Sequence, residues 1–167
     1  MKKISKIINI LILVGVLFLF VTKAPSIFAQ FKSEGTVISD FSVLLNSGDE
    51  FNSQQFSSKK VLIFWATWCP PCELELSRVN DLVKDKRIPA DSVLAISINE
   101  DKQTVDRIAA ERGYQFQVGY DFDGQVAKKF AVTGTPTVVF LNGDKTIRWM
   151  TTGLSPLLKL RLNTFLD

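Results

Sequence analysis

Five consecutive apolar residues, Val61-Leu62-Ile63-Phe64-Trp65, run almost directly into Cys69-Pro70-Pro71-Cys72. An unbroken apolar run of strand length has no solvent face, so it belongs inside a parallel sheet that is covered on both sides. The segment from Pro70 to about Lys84 then carries Leu76, Val79, Leu82 and Val83 at helical spacing, with its prolines in the first turn, where a helix tolerates them. Strand, tight junction and helix thus meet at the only two cysteines in the chain.

The remaining segments follow the same logic. Phe41 to Leu45, the turn Asn46-Ser47-Gly48-Asp49 and Phe51 predict a strand-turn unit. Ser92 to Ile98 is a second buried-type strand, and Gln103 to about Arg112 a helix closed by Gly113. Phe116 to Tyr120 and Val126 to Phe130 supply a short strand and a short helix. Thr137 to Leu141, the turn Asn142-Gly143-Asp144 and Thr146 to Met150 predict a hairpin. A last helix is expected to open at Ser155 as N-cap, with Pro156 at its first position, and to run through Leu157, Leu160 and Leu162 to Phe165. The order βαβα followed by ββα predicts an α/β fold with a mixed central sheet and helices on both faces.

The first 29 residues are different in kind. Lys2, Lys3 and Lys6 precede an apolar stretch from Ile7 to Val21, with Lys23 just beyond. This is a targeting segment rather than core. Residues 1–29 are therefore set apart from a single domain spanning residues 30–167, in which Gln30 to Gly35 forms a polar linker. Small residues are poorly placed for cleavage, since Ala29 has Ile27 two positions before it and Ala24 is followed by Pro25. An uncleaved single-pass membrane anchor is the favoured reading, with a cleaved signal as the alternative. The lysines would stay on the cytoplasmic side and the domain would be exported.

The net charge of +3 misleads, because those 29 residues hold four lysines and no acid. Taking the four from the 20 basic residues leaves 16 against 17 acids, a balance of −1. A near-neutral exported part argues against nucleic acid as a partner.

Two thiols three positions apart at a helix start lie on one face about a turn apart, close enough to form a small disulfide ring. Such a ring constrains the unfolded chain very little and makes a poor structural staple, so a redox dithiol is the better reading. Cys69 at the helix start is expected to be the exposed, ionised nucleophile, with Cys72 a turn inside as the more buried resolving thiol. A zinc site needs about four ligands, and two cysteines with no histidine do not supply them. No metal or other cofactor is expected. Glu75 continues the 69, 72, 75 spacing onto the margin of the apolar stripe, where desolvation would raise its pKa and let it accept the proton of Cys72; a solvated helix glutamate is the alternative, and is the reading for Glu73. Gly134-Thr135-Pro136-Thr137 stands at a strand entrance, where Pro136 is either cis, leaving the preceding backbone free to pair with a peptide, or trans in an ordinary turn.

Trp65-Ala66-Thr67-Trp68-Cys69-Pro70-Pro71-Cys72, the later Gly134-Thr135-Pro136-Thr137 and the hairpin after it closely resemble the thioredoxin superfamily, and within it the exported, membrane-anchored TlpA, ResA and DsbE type. The likeness covers roughly residues 36 to 166 and implies a thioredoxin-like fold. It implies that Cys69 attacks the substrate disulfide, that Cys72 resolves the intermediate, and that Thr135 and Pro136 face them across a substrate groove bordered by Trp68 and Pro70. The buried aspartate of thioredoxins would fall at Ile63 and is missing, whereas the glutamate of the ResA-like branch matches Glu75. The segment from Ser92 to Asp121 resembles that branch's central insertion. Ser77 stands where the family often has proline.

Strongly oxidising relatives usually carry histidine where this chain has Pro71. With the resemblance, this inclines the reading toward a reductase on the periplasmic side of the inner membrane. It would take electrons from a membrane thiol transporter and reduce protein disulfides, with cytochrome c apoproteins the commonest clients of the family. A disulfide oxidase or isomerase on the same fold, and a non-catalytic redox-switched adaptor, remain the alternatives.

Overall fold

The computed structural model of the chain describes residues 11–15, 17–18, 33–55 and 57–167. Most of the expected anchor lies outside the described residues. Its described part is helical and exposes Leu11, Ile12, Leu13, Val14, Leu17 and Phe18. Among the described residues no helix is long and apolar enough to cross a membrane.

Seven strands form one sheet: β1 (Ser42–Leu45), β2 (Glu50–Asn52), β3 (Lys60–Trp65), β4 (Val93–Ile98), β5 (Gln117–Asp121), β6 (Thr137–Leu141) and β7 (Ile147–Thr152). The order across the sheet is β2-β1-β5-β4-β3-β6-β7. β3, β4 and β5 run parallel, and the outer pairings are antiparallel. Among the described residues from 33 onward, four α-helices accompany the sheet: α1 (Pro70–Lys84), α2 (Lys102–Glu111), α3 (Gln125–Lys129) and α4 (Leu158–Leu166).

Every residue of β3 is buried, as a run without a polar face demands. Because strand side chains alternate, Val61, Ile63 and Trp65 join a core layer with Leu76 and Val79 of α1 and Leu158 and Leu162 of α4. Leu62 and Phe64 face the other layer, against Val126, Ala127 and Phe130 around α3. Each large apolar side chain taken out of water contributes about 1.5–3 kcal/mol, so this one strand holds both layers together. Helices therefore cover both faces, and the mixed sheet has the expected order.

Two local expectations are corrected. The last helix starts at Leu158, not after an N-cap at Ser155: residues 155–157 form a turn in which the Leu158 N–H donates to the Ser155 carbonyl at 3.2 Å. Leu157 stands at the N-cap without a side-chain cap, while Ser155 is buried and its N–H donates to Glu75. The polar stretch ending at Gly35 also does not remain a free linker over its described end. The Gly35 N–H donates to the Ile147 carbonyl at 2.8 Å, Ile147 N–H to Thr36 at 2.9 Å, and Ile38 N–H to Lys145 at 3.0 Å. Residues 30–32 of that stretch lie outside the described ones.

Two buried polar side chains join distant segments. Asn80 of α1 donates from Nδ2 to the Gly113 carbonyl at 2.9 Å and accepts the Gln115 N–H on Oδ1 at 2.8 Å. Asp121 accepts the N–H groups of Val126 and Ala127 at 3.1 and 2.7 Å, capping α3 from the end of β5.

The β6–β7 turn is closed by Lys145 N–H to the Asn142 carbonyl at 2.9 Å, and Gly143 sits against the chain leading into β3. A Cβ at Gly143 would lie 2.1 Å from the backbone carbonyl oxygen of Ser57, which has no side-chain freedom with which to retreat. Gly143→Ala is therefore expected to destabilise the domain by about 1–3 kcal/mol, read as a lower midpoint of thermal unfolding. An unchanged midpoint would show that this close approach is absent.

Candidate active site

The sheet register brings three separate loops to one edge. β3 and β4 are parallel, with Trp65 opposite Ser97, so the chain leaving β3 at Ala66 and the chain leaving β4 at Asn99 emerge side by side. β6 is antiparallel to β3 with Thr137 opposite Phe64, so the segment entering β6, Gly134-Thr135-Pro136, arrives at the same edge from the other flank. The two motifs singled out in the sequence are thus neighbours in space.

Cys69 and Cys72 are joined in a disulfide with their Cα atoms 5.2 Å apart. Cys69 is the N-cap of α1, in an extended conformation (φ −98°, ψ 100°), and its Sγ accepts the Cys72 N–H at 3.3 Å. Its own N–H donates to the Ala66 carbonyl at 3.2 Å, which closes the turn out of β3. A helix start ordinarily presents four unpaired amides. Here Pro70 and Pro71 have none, the Glu73 N–H donates to the Cys69 carbonyl at 3.2 Å, and the one amide that reaches the sulfur, that of Cys72, is shared with the same carbonyl at 3.0 Å. Cys69 is only 4% exposed in this disulfide form, which corrects the expectation of an open sulfur, while Cys72 is fully buried. The surface around them is made by Trp68, 76% exposed, and by the exposed prolines Pro70 and Pro71.

Glu75 lies deeper than the stripe margin expected for it: it is completely buried. Oε1 accepts the backbone N–H of Ser155 at 2.9 Å, and Oε2 meets Arg78 Nη1 at 3.3 Å. Burial pushes its pKa above the ordinary glutamate value, against the lowering pull of the Ser155 amide and the Arg78 charge. Glu73 is the solvated one, its carboxylate paired at the surface with Arg112 at 2.9 Å.

The Thr135–Pro136 peptide bond is cis. Pro136 is buried with its carbonyl accepting the Gly153 N–H at 2.7 Å, and Thr137 Oγ1 donates to the Gly134 carbonyl at 2.6 Å, so the loop is held from both ends. Thr135 between them is half-buried, and no hydrogen bond from another described residue reaches its backbone. Among the described residues no three side chains of His, Cys, Asp or Glu gather as a metal site.

One group at this edge is absent from the sequence reading. Glu100, just after β4, accepts the Thr67 N–H on both carboxylate oxygens at 3.1 and 2.9 Å, the Thr67 hydroxyl, and the Ser97 hydroxyl at 2.6 Å. It stands in the polar run Asn99-Glu100-Asp101-Lys102 ahead of α2, where Asp101 is the actual N-cap. Nothing in that run marks Glu100 as facing the cysteine loop.

A disulfide at a helix start, beside a cis-proline loop, is equipped for thiol-disulfide exchange. Comparisons with known proteins agree. Thiol-disulfide oxidoreductase ResA of Geobacillus thermodenitrificans is 28% identical over 144 residues, covering 82% of this chain and 83% of that protein. Sporulation thiol-disulfide oxidoreductase A of Bacillus subtilis is 27% identical over 100 residues, covering 57% of this chain and 59% of that one. The crystal structure of a thiol:disulfide interchange protein DsbE from Chlorobium tepidum superposes with a TM-score of 0.70 at 23% identity, covering 80% and 98% of the two chains. StoA from Bacillus subtilis superposes with a TM-score of 0.63 at 23% identity, covering 77% and 98%. These two structures establish the thioredoxin-like fold. The profile of the AhpC/TSA family matches residues 35–150, and with this fold around its disulfide the chain belongs to that family as a thioredoxin-like thiol-disulfide oxidoreductase.

Proposed function

We propose that the chain reduces disulfides of exported proteins, with Cys69 as nucleophile, Cys72 as resolving thiol and Glu75 as the proton acceptor of Cys72. In the reduced form the Cys69 thiolate attacks a substrate disulfide, forming a mixed disulfide and releasing one substrate thiolate. Cys72 gives its proton to Glu75 and attacks Cys69 Sγ, so the second substrate sulfur leaves and the Cys69–Cys72 bond returns. Two electrons pass to the substrate, whose two thiolates take up two protons. Trp68, Pro70, Thr135 and Pro136 would border the groove, with the Thr135 peptide group pairing to the bound strand.

The observation that carries the reductive direction is the helix start with one amide for its sulfur. Fewer donors stabilise the thiolate less, which favours the disulfide over the dithiol and lowers the reduction potential. Pro71 adds no ionisable group that could reverse this. The resemblance to the ResA type supports a membrane thiol transporter as electron source and c-type cytochrome apoproteins as clients. Lys2, Lys3 and Lys6 ahead of the Ile7 to Val21 stretch support an uncleaved anchor, with residues 30–167 as the domain on the periplasmic side.

Reduction of insulin with a dithiol donor is expected from the wild type and should fall to background in Cys69→Ser. Cys72→Ser should accumulate mixed disulfides with clients through Cys69, and accumulation only in the Cys69 variant would reverse the two roles. The reduction potential, measured against a dithiothreitol couple, should lie below that of glutathione, roughly −240 mV. A value at or above it would make the chain an oxidant or isomerase.

The raised pKa of Glu75 gives a further check on the oxidised protein. Between 4.5 and the raised value the folded protein keeps a proton that the unfolded chain has released. The stability this contributes is complete below pH 4.5 and is lost as pH rises through the folded-state pKa. Glu75→Gln has no such proton to lose. Its unfolding midpoint, relative to the wild type, should therefore be higher at pH 8 than at pH 4, and a difference constant across that range would refute a raised pKa.

A further inference from the structure

Glu100 is half-buried, yet among the described residues no lysine or arginine pairs with it. Its carboxylate is spent on hydrogen-bond donors of two backbone segments. Oε1 and Oε2 both accept the Thr67 N–H, Oε1 also accepts the Thr67 hydroxyl, and Oε2 accepts the buried Ser97 hydroxyl at 2.6 Å. Ser97 sits in β4 directly opposite Trp65, the last residue of β3. The carboxylate therefore spans the point where the two strand ends separate, and ties the loop leaving β3 to the rigid sheet.

That loop is short. Thr67 follows Ala66, whose carbonyl accepts the Cys69 N–H at 3.2 Å, and Cys69 is at once the N-cap of α1 and the sulfur served by the Cys72 amide. Only Trp68 stands between the clamped Thr67 and Cys69. Any drift of Thr67 is passed through the Ala66–Cys69 turn to the position of Sγ relative to its one amide donor. A carboxylate has two oxygens, enough acceptor sites for a backbone N–H and two hydroxyls at once, which suits it to hold such a loop in one geometry.

We propose that Glu100 is a positioning residue of the redox centre, acting through Thr67 to hold the loop that presents Cys69. This rests on the reading of Cys69 as nucleophile. The role depends on reach and acceptor geometry rather than on charge. A glutamine can keep it, accepting from Thr67 on its amide oxygen while its amide nitrogen donates to the Ser97 hydroxyl. An aspartate cannot, because its carboxylate is withdrawn by one methylene although the charge is retained.

The test compares wild type, Glu100→Gln, Glu100→Asp and Glu100→Ala as full chains. Three quantities are read: the rate of iodoacetamide alkylation of Cys69 in the reduced protein from pH 5 to 9, kcat and KM for insulin reduction, and the thermal midpoint. Glu100→Ala and Glu100→Asp should lower kcat by roughly ten- to a hundredfold, as expected for a misplaced reacting group, and should shift the pH midpoint of alkylation upward. Glu100→Gln should recover most of the rate and the wild-type midpoint. Should the alanine variant fail to fold, the aspartate variant carries the comparison. The proposal is overturned if aspartate behaves as wild type and glutamine as alanine, which would make charge the cause, or if the alkylation profile is the same in all four. A wild type with no turnover would instead defeat the oxidoreductase reading itself.

Discussion

Helix α1 begins on a sulfur atom, and the rest of the site is arranged around that contact. The Cys69 side chain occupies the place of a capping serine or aspartate and accepts the amide three residues on. Because Pro70 and Pro71 carry no N–H, this contact, shared with the Cys69 carbonyl, is among the described residues the one hydrogen bond from the helix start to the Cys69 sulfur. The double proline thus limits the helix start to one amide at the sulfur, and the proposed reductive direction rests on that limit.

Around this contact the protein has placed two carboxylates with opposite environments. Glu75 is fully buried one turn beyond Cys72, held by the Ser155 amide and by Arg78, and its pKa is raised by loss of water. Glu100 is half-buried at the mouth of the sheet and engages hydroxyls and an amide. The first suits proton transfer, since a carboxyl poised above its ordinary pKa is closer to a thiol than a solvated one. The second suits holding a loop, since its two oxygens take donors from two chain segments and so restrain their relative position. Both depend on the sheet: β3, β4 and β6 bring their ends to one edge, and chain segments dozens of residues apart supply the partners.

Much of this was legible in the chain as written. The apolar run of β3, the helix from Pro70 to Lys84 and the β6–β7 hairpin follow from local pattern, and the observed boundaries of the other strands and of α2 and α3 differ from the pattern by one or two residues, as fraying ends do. Ser155 was misjudged because serine followed by proline is a good local helix start, whereas the packed chain buries Ser155, joins its amide to Glu75 80 residues away, and begins the helix only at Leu158. Gly35, the last residue of the stretch read as a polar linker, and the three residues after it pair with the start of β7 and the turn before it, again a long-range partnership. Asn80 and Glu100 look like ordinary helix and loop polar residues until the segments they bridge, more than 30 residues apart, are brought together.

The sequence by itself determined the chemistry and its order: one dithiol at a strand-to-helix junction, no histidine to compete with it, and elements in an order that builds a mixed sheet covered on both faces. These are short-range properties, set by side-chain type and spacing within a few residues. Only the tertiary structure decided that Cys69 is almost covered as a disulfide, that Glu75 is wholly desolvated, and that Glu100 grips the loop beside the cysteines. The reason is physical: burial, pKa and hydrogen-bond satisfaction belong to a group's surroundings, and these surroundings exist only once distant segments have packed together.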